Sequence, residues 1–346
     1  MAFFIRLTYI CYMELSFSFI IPVYNRPIEI EELLESFLKI KGQTAFEIVI
    51  VEDGSTITSK SIVDNYIDKL DISYYFKQNS GPGDSRNFGM QHAKGNYFII
   101  LDSDCLLPSH YLQEVEASLK LNYVDCFGGP DKAHHSFTNL QKAIDFSMTS
   151  VITTGGIRGN KTSLDKFQPR SFNMGLSKKA FNATKGFGNI HPGEDPDLSI
   201  RLWDLGFNTM LIPEAYVYHK RRISWSKFYK QVNKFGSVRP ILNTWHPQTK
   251  KVTYWFPTLF TLGVIVAIIL AMFNLILPLY LVLFYYSLVF VLAFIKTKNI
   301  VIAFQSILAV SIQFFGYGYG FLKSTLLLFL KSEKPETIFP HLFFKN

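Results

Sequence analysis

The sequence has little cysteine and none of the short spacings that bind structural metals. Its three cysteines, Cys11, Cys105 and Cys126, form no CxxC pair. Such a set supplies neither a disulfide framework nor a zinc knuckle, so we expect a reducing, cytosolic setting. The sequence also lacks the signature of an RNA-reading module. We therefore expect no nucleic-acid partner, although the net charge is +8.

Basic residues are concentrated within residues 220–251, directly before the most apolar part of the chain. A basic protein can bind nucleic acid, anionic lipid or a phosphorylated substrate. Placement beside apolar segments favours an anionic membrane surface. Residues 223–235 carry aromatic and basic side chains on opposed sides, which is typical of a helix at a membrane interface. Membrane lipid is therefore an expected partner.

Long apolar runs begin only after Lys251. Residues 252–273 and 275–295 each reach the roughly 20 residues that a spanning helix needs. Lysines 250, 251, 296 and 298 flank these two spans on one side, and the turn between the spans has no charge. By the positive-inside rule, this pattern predicts a multi-pass membrane protein in which the part of the chain before the spans is cytoplasmic.

A third apolar run, residues 300–330, is interrupted by a Gly-Tyr repeat at 316–320 and by Lys323. A third full span would place Lys331, Lys334 and Lys345 outside, against the positive-inside rule. A re-entrant or kinked segment would keep these lysines inside. The sequence therefore predicts two or three membrane helices in residues 250–346, after a catalytic domain at 14–245.

Short apolar runs alternate with helical spacing before residue 110. Strands are predicted at 16–23, 46–51, 72–76 and 97–101, and helices at 28–40, 59–70 and 87–93. This alternation indicates an α/β fold, Rossmann-like, with a mostly parallel sheet and flanking helices. Ligands of such sheets bind beyond the carboxyl ends of the strands. Further along, a loop at 130–172, a helix at 198–205 and a strand at 215–218 are expected.

Acidic residues follow two of these strands. Asp53 ends the second, and Asp102-Ser103-Asp104 follows the fourth. Paired carboxylates on a short loop are hard ligands that hold a divalent cation on phosphate oxygens. The simpler interpretation is a strand-to-helix turn in which Asp and Ser serve as caps. Their position after buried strands favours the functional interpretation.

Three more features have both a functional and a structural interpretation. The loop 81–89, which contains Arg86, precedes a helix N-terminus that favours anions. Glu194-Asp195 precedes another helix and offers a carboxylate as general base, or simply a cap. His219 ends a predicted strand. It is either a structural histidine or, because a carboxylate pair lies nearby, a metal ligand.

Together these residues resemble the inverting glycosyltransferases of family 2 with a GT-A fold, of the bacterial membrane-anchored type. The resemblance covers about residues 16–236. The matching blocks are FIIPVYNR at 19–26, IVIVEDGST at 48–56, GPGDSRNFG at 81–89, FIILDSD at 98–104 and GEDPDLSIRLWDLGF at 193–207. Ordered blocks at family-like spacing are more specific than any single one.

The resemblance implies a nucleotide-sugar donor of the UDP or GDP type. Tyr24 and Asp53 would then contact the nucleobase, and Arg86 would contact the base or the pyrophosphate. The loop at 185–195 lacks the acidic residue that often follows Gly-Phe in relatives. Residues 230–236 resemble a degraded Gln-x-x-Arg-Trp element of processive synthases, with Lys and Phe in place of Arg and Trp.

The resemblance also implies a metal and a base. Asp104 and His219 would ligate Mg²⁺ or Mn²⁺, and Asp102 would act near the ribose or in the metal shell. Asp195 would be the catalytic base, and Glu194 would bind the acceptor.

The expected function is sugar transfer to a lipid-linked or polysaccharide acceptor in cell-surface glycan synthesis. A polyprenyl-phosphate sugar synthase and a processive polysaccharide synthase are alternatives within the same class. A catalytically inactive nucleotide-sugar-binding membrane module is an alternative of another class. It predicts loss of the metal or base carboxylates, which are present.

Overall fold

The computed structural model describes residues 14–132, 137–154, 166–219 and 224–344, except the side chain of His219. The basic residues Lys220, Arg221 and Arg222 lie outside this part of the chain.

Within the described residues, a seven-stranded sheet forms the centre of the first two-thirds of the chain. Its strands, in the spatial order β3-β2-β1-β4-β8-β6-β9, are β1 Phe17–Val23, β2 Phe46–Asp53, β3 Ile72–Lys77, β4 Tyr97–Leu101, β6 Cys126–Gly128, β8 Asn173–Ser177 and β9 Thr209–Leu211. Only β8 runs antiparallel to its neighbours, β4 and β6. The mostly parallel sheet predicted from the sequence is therefore confirmed.

Helices cover both faces of the sheet, which explains why its central strands are mostly apolar. They are α1 Pro27–Phe37, α2 Lys60–Asp64, α3 Pro82–His92, α4 Tyr111–Leu121, α7 Lys178–Thr184 and α8 Glu194–Asp204. On one face Phe19 and Ile21 pack with Leu33 of α1. On the other face Ile20 packs with Met90 of α3 and Leu198 of α8.

A small second sheet lies next to the end of β4. It consists of β5 Cys105–Leu106, β7 Asp131–Lys132 and β10 Val217–His219, in the order β5-β10-β7. The backbone of His219 pairs with Cys105, the residue after Asp104. The end of β10 is thereby fixed beside the acidic triplet.

Two helices begin earlier than the sequence spacing predicted, and one is shorter. Helix α3 begins at Pro82 rather than at residue 87, because proline suits the first helical turn and Gly81 adopts a φ of +95° before it. Helix α8 begins at Glu194 rather than at 198. Arg86 and Asp195 are therefore helical residues. Helix α2 extends over only part of the predicted 59–70.

The prediction of an irregular loop over 130–172 is wrong for much of that stretch. It contains α5 Asn139–Thr149 and α6 Val151–Thr154. A capping box between Thr138 and Gln141 begins α5. Residues 133–136 and 155–165 lie outside the described residues.

Three of the described helices are long and apolar enough to cross a membrane, and their spans are Val252–Met272, Leu277–Thr297 and Ile300–Leu330. They correspond to α10 Phe256–Met272 with a preceding short turn, α11 Leu277–Thr297 and α12 Ile300–Leu330. The preceding α9, Trp225–Trp245, extends ten residues beyond the predicted 223–235. The surface of the α10–α11 hairpin is largely apolar, because its exposed side chains include Leu259, Ile269 and Phe284.

Helix α12 is one continuous helix that runs through the Gly-Tyr repeat at 316–320. Its glycines serve close helix packing. A Cβ atom on Gly320 would lie 2.4 Å from the carbonyl oxygen of Asn233 on α9, and one on Gly318 would lie 2.7 Å from that of Pro257 on α10. Helix α12 therefore joins the apolar α10–α11 hairpin to α9. The short α13, Pro335–Ile338, follows it.

Candidate active site

A cavity of about 2380 Å³ opens at the carboxyl ends of β1, β2 and β4 and extends to α9, α10 and α12. Among its lining residues are all the predicted site residues with described side chains, namely Tyr24, Asp53, Arg86, Asp102, Asp104, Glu194 and Asp195. The structure therefore brings together residues that are up to 171 positions apart in the sequence, since the set runs from Tyr24 to Asp195. The side chain of His219 lies outside the described part.

Asp53 is buried at the end of β2 and fixes the loop before α3. Its two carboxylate oxygens accept hydrogen bonds of 2.9 Å from the backbone N–H groups of Ser80 and Gly81. Lys77 at the end of β3 donates to the same carboxylate, also at 2.9 Å. Tyr24 projects beside this site and is half exposed, at 52%. An exposed ring next to an ordered polar loop suits a planar ligand such as a nucleobase.

Arg86 is buried and connects the two acidic parts of the site. Its guanidinium donates to Asp102 at 2.8 Å and to Glu194 at 3.2 Å. The flanking carboxylates Asp102 and Glu194 raise the pKa of Arg86 despite the opposing effect of burial. Arg86 therefore stays charged and ties the end of β4 to the start of α8.

Asp104, the last residue of the acidic triplet, accepts a hydrogen bond from Arg26 at 3.1 Å. Two carboxylates within three residues provide the hard oxygen ligands that Mg²⁺ or Mn²⁺ prefers. Among the described residues, no group of three or more His, Cys, Asp and Glu side chains is arranged to hold a metal ion. The metal site at Asp104 and His219 therefore stays a prediction.

Asp195 lies in the first turn of α8 and faces the cavity. Its Oδ2 accepts a hydrogen bond of 3.1 Å from the N–H of Ser171. Its Oδ1 is buried and has no hydrogen-bond partner among the residues that the structure describes. Burial and the adjacent Glu194 raise the pKa of Asp195, and Arg86 and Arg170 act against them. An unpartnered carboxylate oxygen with a raised pKa is suited to accept a proton.

Glu194 has the opposite surroundings. It is buried between Arg86 and His191, and the His191 Nδ1 lies 2.9 Å from its Oε1. Burial alone would raise the pKa of Glu194, but His191 and Arg86 lower it below its usual range. Adjacent carboxylates with pKa values shifted in opposite directions are typical of acid–base sites.

The C-terminal segment forms part of the wall of the cavity. Its backbone pairs with the loop before α8, because the N–H of His191 donates to Leu342 at 2.7 Å and that of Phe344 donates to Asn189 at 3.1 Å. The Phe344 ring lies 5.9 Å from that of His191. It also packs on Gly81, where a Cβ atom would lie 2.2 Å from the ring.

Sequence reasoning missed several residues of this site. His191 stands three residues before Glu194, and a histidine at this distance from a carboxylate was a usable signal. Arg26 follows the first strand, where a basic residue could have been paired with the acidic triplet. Phe344 gave no local signal, since only the fold brings it to Gly81.

Comparison with known proteins identifies the domain. Residues 18–183 match the family model for glycosyl transferase family 2. A glycosyltransferase of Rickettsia conorii is 34% identical over 140 residues, which are 40% of this chain and 22% of that protein. The poly(ribitol-phosphate) beta-N-acetylglucosaminyltransferase TarS of Staphylococcus aureus is 34% identical over 114 residues, 32% of this chain and 20% of that protein.

A solved structure supports the fold. The mannosyltransferase PcManGT from Pyrobaculum calidifontis, in complex with GDP-Man and Mn²⁺, has a TM-score of 0.52 at 16% identity over 65% of this chain and 63% of that one. The chain therefore carries a glycosyl transferase family 2 domain with a GT-A fold. It spans about a fifth of the length of the two curated relatives. Glu194 and Asp195 lie beyond the residues that the family model matches.

Proposed function

We propose that the protein is an inverting glycosyltransferase that moves a sugar from a nucleoside diphosphate to a membrane-linked acceptor in cell-surface glycan synthesis. The observation that carries this proposal is Asp195. Its Oδ1 is buried, has no hydrogen-bond partner within the described part of the chain, and faces a cavity that extends from the predicted nucleotide site to α10 and α12.

The chemistry assigned to this chain is a direct displacement. Asp195 accepts the proton of an acceptor hydroxyl, whose oxygen bonds to the anomeric carbon as the bond to the nucleoside diphosphate breaks. Attack opposite the leaving group inverts the anomeric configuration. A general base of this kind typically contributes 10²–10⁴-fold to the rate.

The donor is expected at the carboxyl ends of β1, β2 and β4. Tyr24 would stack on the nucleobase, while Asp53 keeps the loop before α3 in place. Arg86, which is paired with Asp102, would supply a positive charge close to the pyrophosphate. Asp104 and His219 would hold Mg²⁺ or Mn²⁺, which would neutralise charge on the departing diphosphate. Asp102 would act near the ribose or in the metal shell.

A panel of nucleotide-sugars tests this assignment. The full chain in nanodiscs is expected to release nucleoside diphosphate from one UDP- or GDP-sugar, with loss of activity in EDTA and recovery with Mg²⁺ or Mn²⁺. Binding of a nucleotide-sugar without any turnover or acceptor labelling would instead favour an inactive binding module. Turnover that is unchanged in EDTA would contradict the metal.

We also propose that the catalytic domain is cytoplasmic and that the α10–α11 hairpin enters the inner membrane from that side. The uncharged turn at 273–276 and the lysines at the opposite ends of both helices support this orientation. A cysteine placed at Asn274 should react with an impermeant thiol reagent added from outside the inner membrane. Labelling only from the cytoplasmic side would contradict the orientation.

A further inference from the structure

Two arginine side chains line the cavity near Asp195 and near the apolar helices, since Arg170 acts on Asp195 and Arg239 lies next to Arg170 and to Tyr317 of α12. Arg170 directly precedes Ser171, whose N–H holds the Asp195 carboxylate at 3.1 Å. Arg239 belongs to α9, and both arginines line the cavity. Within the described ranges, neither side chain forms an ion pair with a carboxylate, unlike Arg86.

The surroundings of Arg239 leave part of its guanidinium without a partner. The group lies over the ring of Tyr254 at 4.5 Å, and its Nη1 is buried with no hydrogen-bond partner in the described part of the chain. Arginine does not lose its proton in proteins. A buried guanidinium donor without a partner is costly, because it has given up water without a replacement acceptor.

The two guanidinium groups also act on each other. Burial lowers the pKa of Arg170, Asp195 opposes this effect, and Arg239 adds to it. Like charges held together in a partly buried cavity produce a positive potential, and a bound anion would relieve it. Two planar guanidinium groups suit a phosphate, which accepts bidentate hydrogen bonds.

The position of the pair separates it from the predicted donor site. Arg86 and the acidic triplet lie at the ends of β4 and α3, whereas Arg239 lies near Tyr254 and, on α12, Tyr317. The cavity lining also includes apolar side chains of the C-terminal helices and of α6, among them Phe314 and Ile152. A ligand of this region would combine an anionic group with a hydrocarbon chain.

We propose that Arg170 and Arg239 bind the phosphate of a membrane-borne acceptor, a polyprenyl phosphate ester whose chain lies along the apolar wall towards α10 and α12. This proposal deepens the proposed function, on which it rests for the role of Asp195. The phosphate site would place the head of the acceptor next to the base and fix its orientation.

Binding to nanodiscs tests the site without requiring turnover. The full chain is titrated with phosphatidylcholine nanodiscs that contain either a polyprenyl phosphate or the matching polyprenol. Wild type should bind the phosphate-containing discs more tightly. Arg170→Gln and Arg239→Gln should each weaken this preference roughly 10- to 100-fold, as expected for loss of a charged hydrogen bond. Arg239→Lys should fall between Arg239→Gln and wild type.

Controls separate the site from general effects of charge and folding. Lys323→Gln removes an exposed charge of α12 outside the cavity and should bind like wild type. Both arginine variants should keep the thermal midpoint and nucleoside diphosphate affinity of wild type within about twofold. The proposal is overturned if the arginine variants retain the phosphate preference, or if inorganic pyrophosphate binds to the pair while the polyprenyl phosphate does not. Failure of donor turnover alone would overturn the proposed function and leave this binding result standing.

Discussion

Glu194 and Asp195 are neighbours in the sequence, yet their carboxylates have opposite electrostatic surroundings. Glu194 is paired with Arg86 and His191, whereas one oxygen of Asp195 has no partner among the described residues. The helix start at Glu194 fixes both orientations. Removing each of the two charges separately should therefore have different effects on the protein.

Matched amide substitutions at these two positions should have opposite effects on stability. The pKa of Glu194 is lowered, so its ionised form stabilises the fold above the unfolded pKa, and this contribution is lost as pH falls. Glu194→Gln should lower the free energy of unfolding at pH 7.5 by about 1–3 kcal/mol, since Arg86 loses one charged partner. The pKa of Asp195 is raised, so its ionisation costs stability at that pH. Asp195→Asn should keep or raise the thermal midpoint.

Thermal denaturation in nanodiscs at two pH values measures both effects. The advantage of Asp195→Asn should shrink as the pH is lowered through the raised pKa, because the carboxyl of the wild type then becomes neutral too. Equal destabilisation by both variants at pH 7.5 would contradict the opposite surroundings.

The raised pKa of Asp195 also predicts the acidic limb of the rate profile. A base must be ionised to act, so kcat should fall as pH decreases through the pKa of Asp195 in the bound enzyme. This limb should lie above the value near 4 that is ordinary for an exposed aspartate. A kcat that stays constant down to about pH 4 would argue against Asp195 as the base.

At the scale of elements, the segment 339–344 connects the end of α12 with two loops of the site. Its backbone pairs with residues 189–191, and Phe344 packs on Gly81. Helix α12 in turn packs closely on α9. Membrane helices and active site are therefore in continuous contact, although they lie far apart in the sequence.

Phe344→Ala should loosen the loop that Asp53 holds, and so weaken donor binding. We expect KM for the donor to rise several-fold, with a thermal midpoint close to that of wild type. Phe329→Ala is the matched control, because Phe329 is 85% exposed on α12 and lies outside the cavity. An unchanged donor KM in Phe344→Ala would show that the segment only covers the site.

Gly320→Leu should separate α9 from α12. Its Cβ would lie 2.4 Å from a backbone oxygen of α9, which cannot move as a flexible side chain would. We expect a large fall in the thermal midpoint, as overpacking typically costs 1–3 kcal/mol or more. Gly263→Leu is the control on α10, where a Cβ has no neighbour within 4 Å. Similar midpoints for the two variants would contradict the close helix crossing.

The elements that could be predicted from the sequence are those whose own run of apolar residues shows that they are buried. Continuous apolar runs predicted β1, β2, β3 and β4, and their ends located Asp53, Asp102 and Asp104. Helix α5 was missed because its apolar side chains, such as Phe146, pack on membrane helices that are more than 100 residues away. The starts of α3 and α8 were missed because Gly and Pro were interpreted as loop, although proline is favoured in the first helical turn.

At the scale of the whole molecule, one cavity extends from the nucleotide end of the sheet to the membrane helices. Asp195 lines this cavity, and both Arg86 and Arg170 act on the pKa of its carboxyl. In the proposed function the donor enters from the aqueous side and the acceptor is presented by the membrane. The base has to act where the two meet.

The central claim is that Asp195 is the base of a sugar transfer in this cavity. The most direct test compares kcat for the preferred nucleotide-sugar in wild type, Asp195→Asn and Asp204→Asn, with donor binding measured in parallel. Asp204 is the control, because it is exposed at the other end of α8. We predict a loss of about 10²–10⁴-fold in kcat for Asp195→Asn, with donor affinity retained and Asp204→Asn unchanged. Full activity of Asp195→Asn would contradict the account.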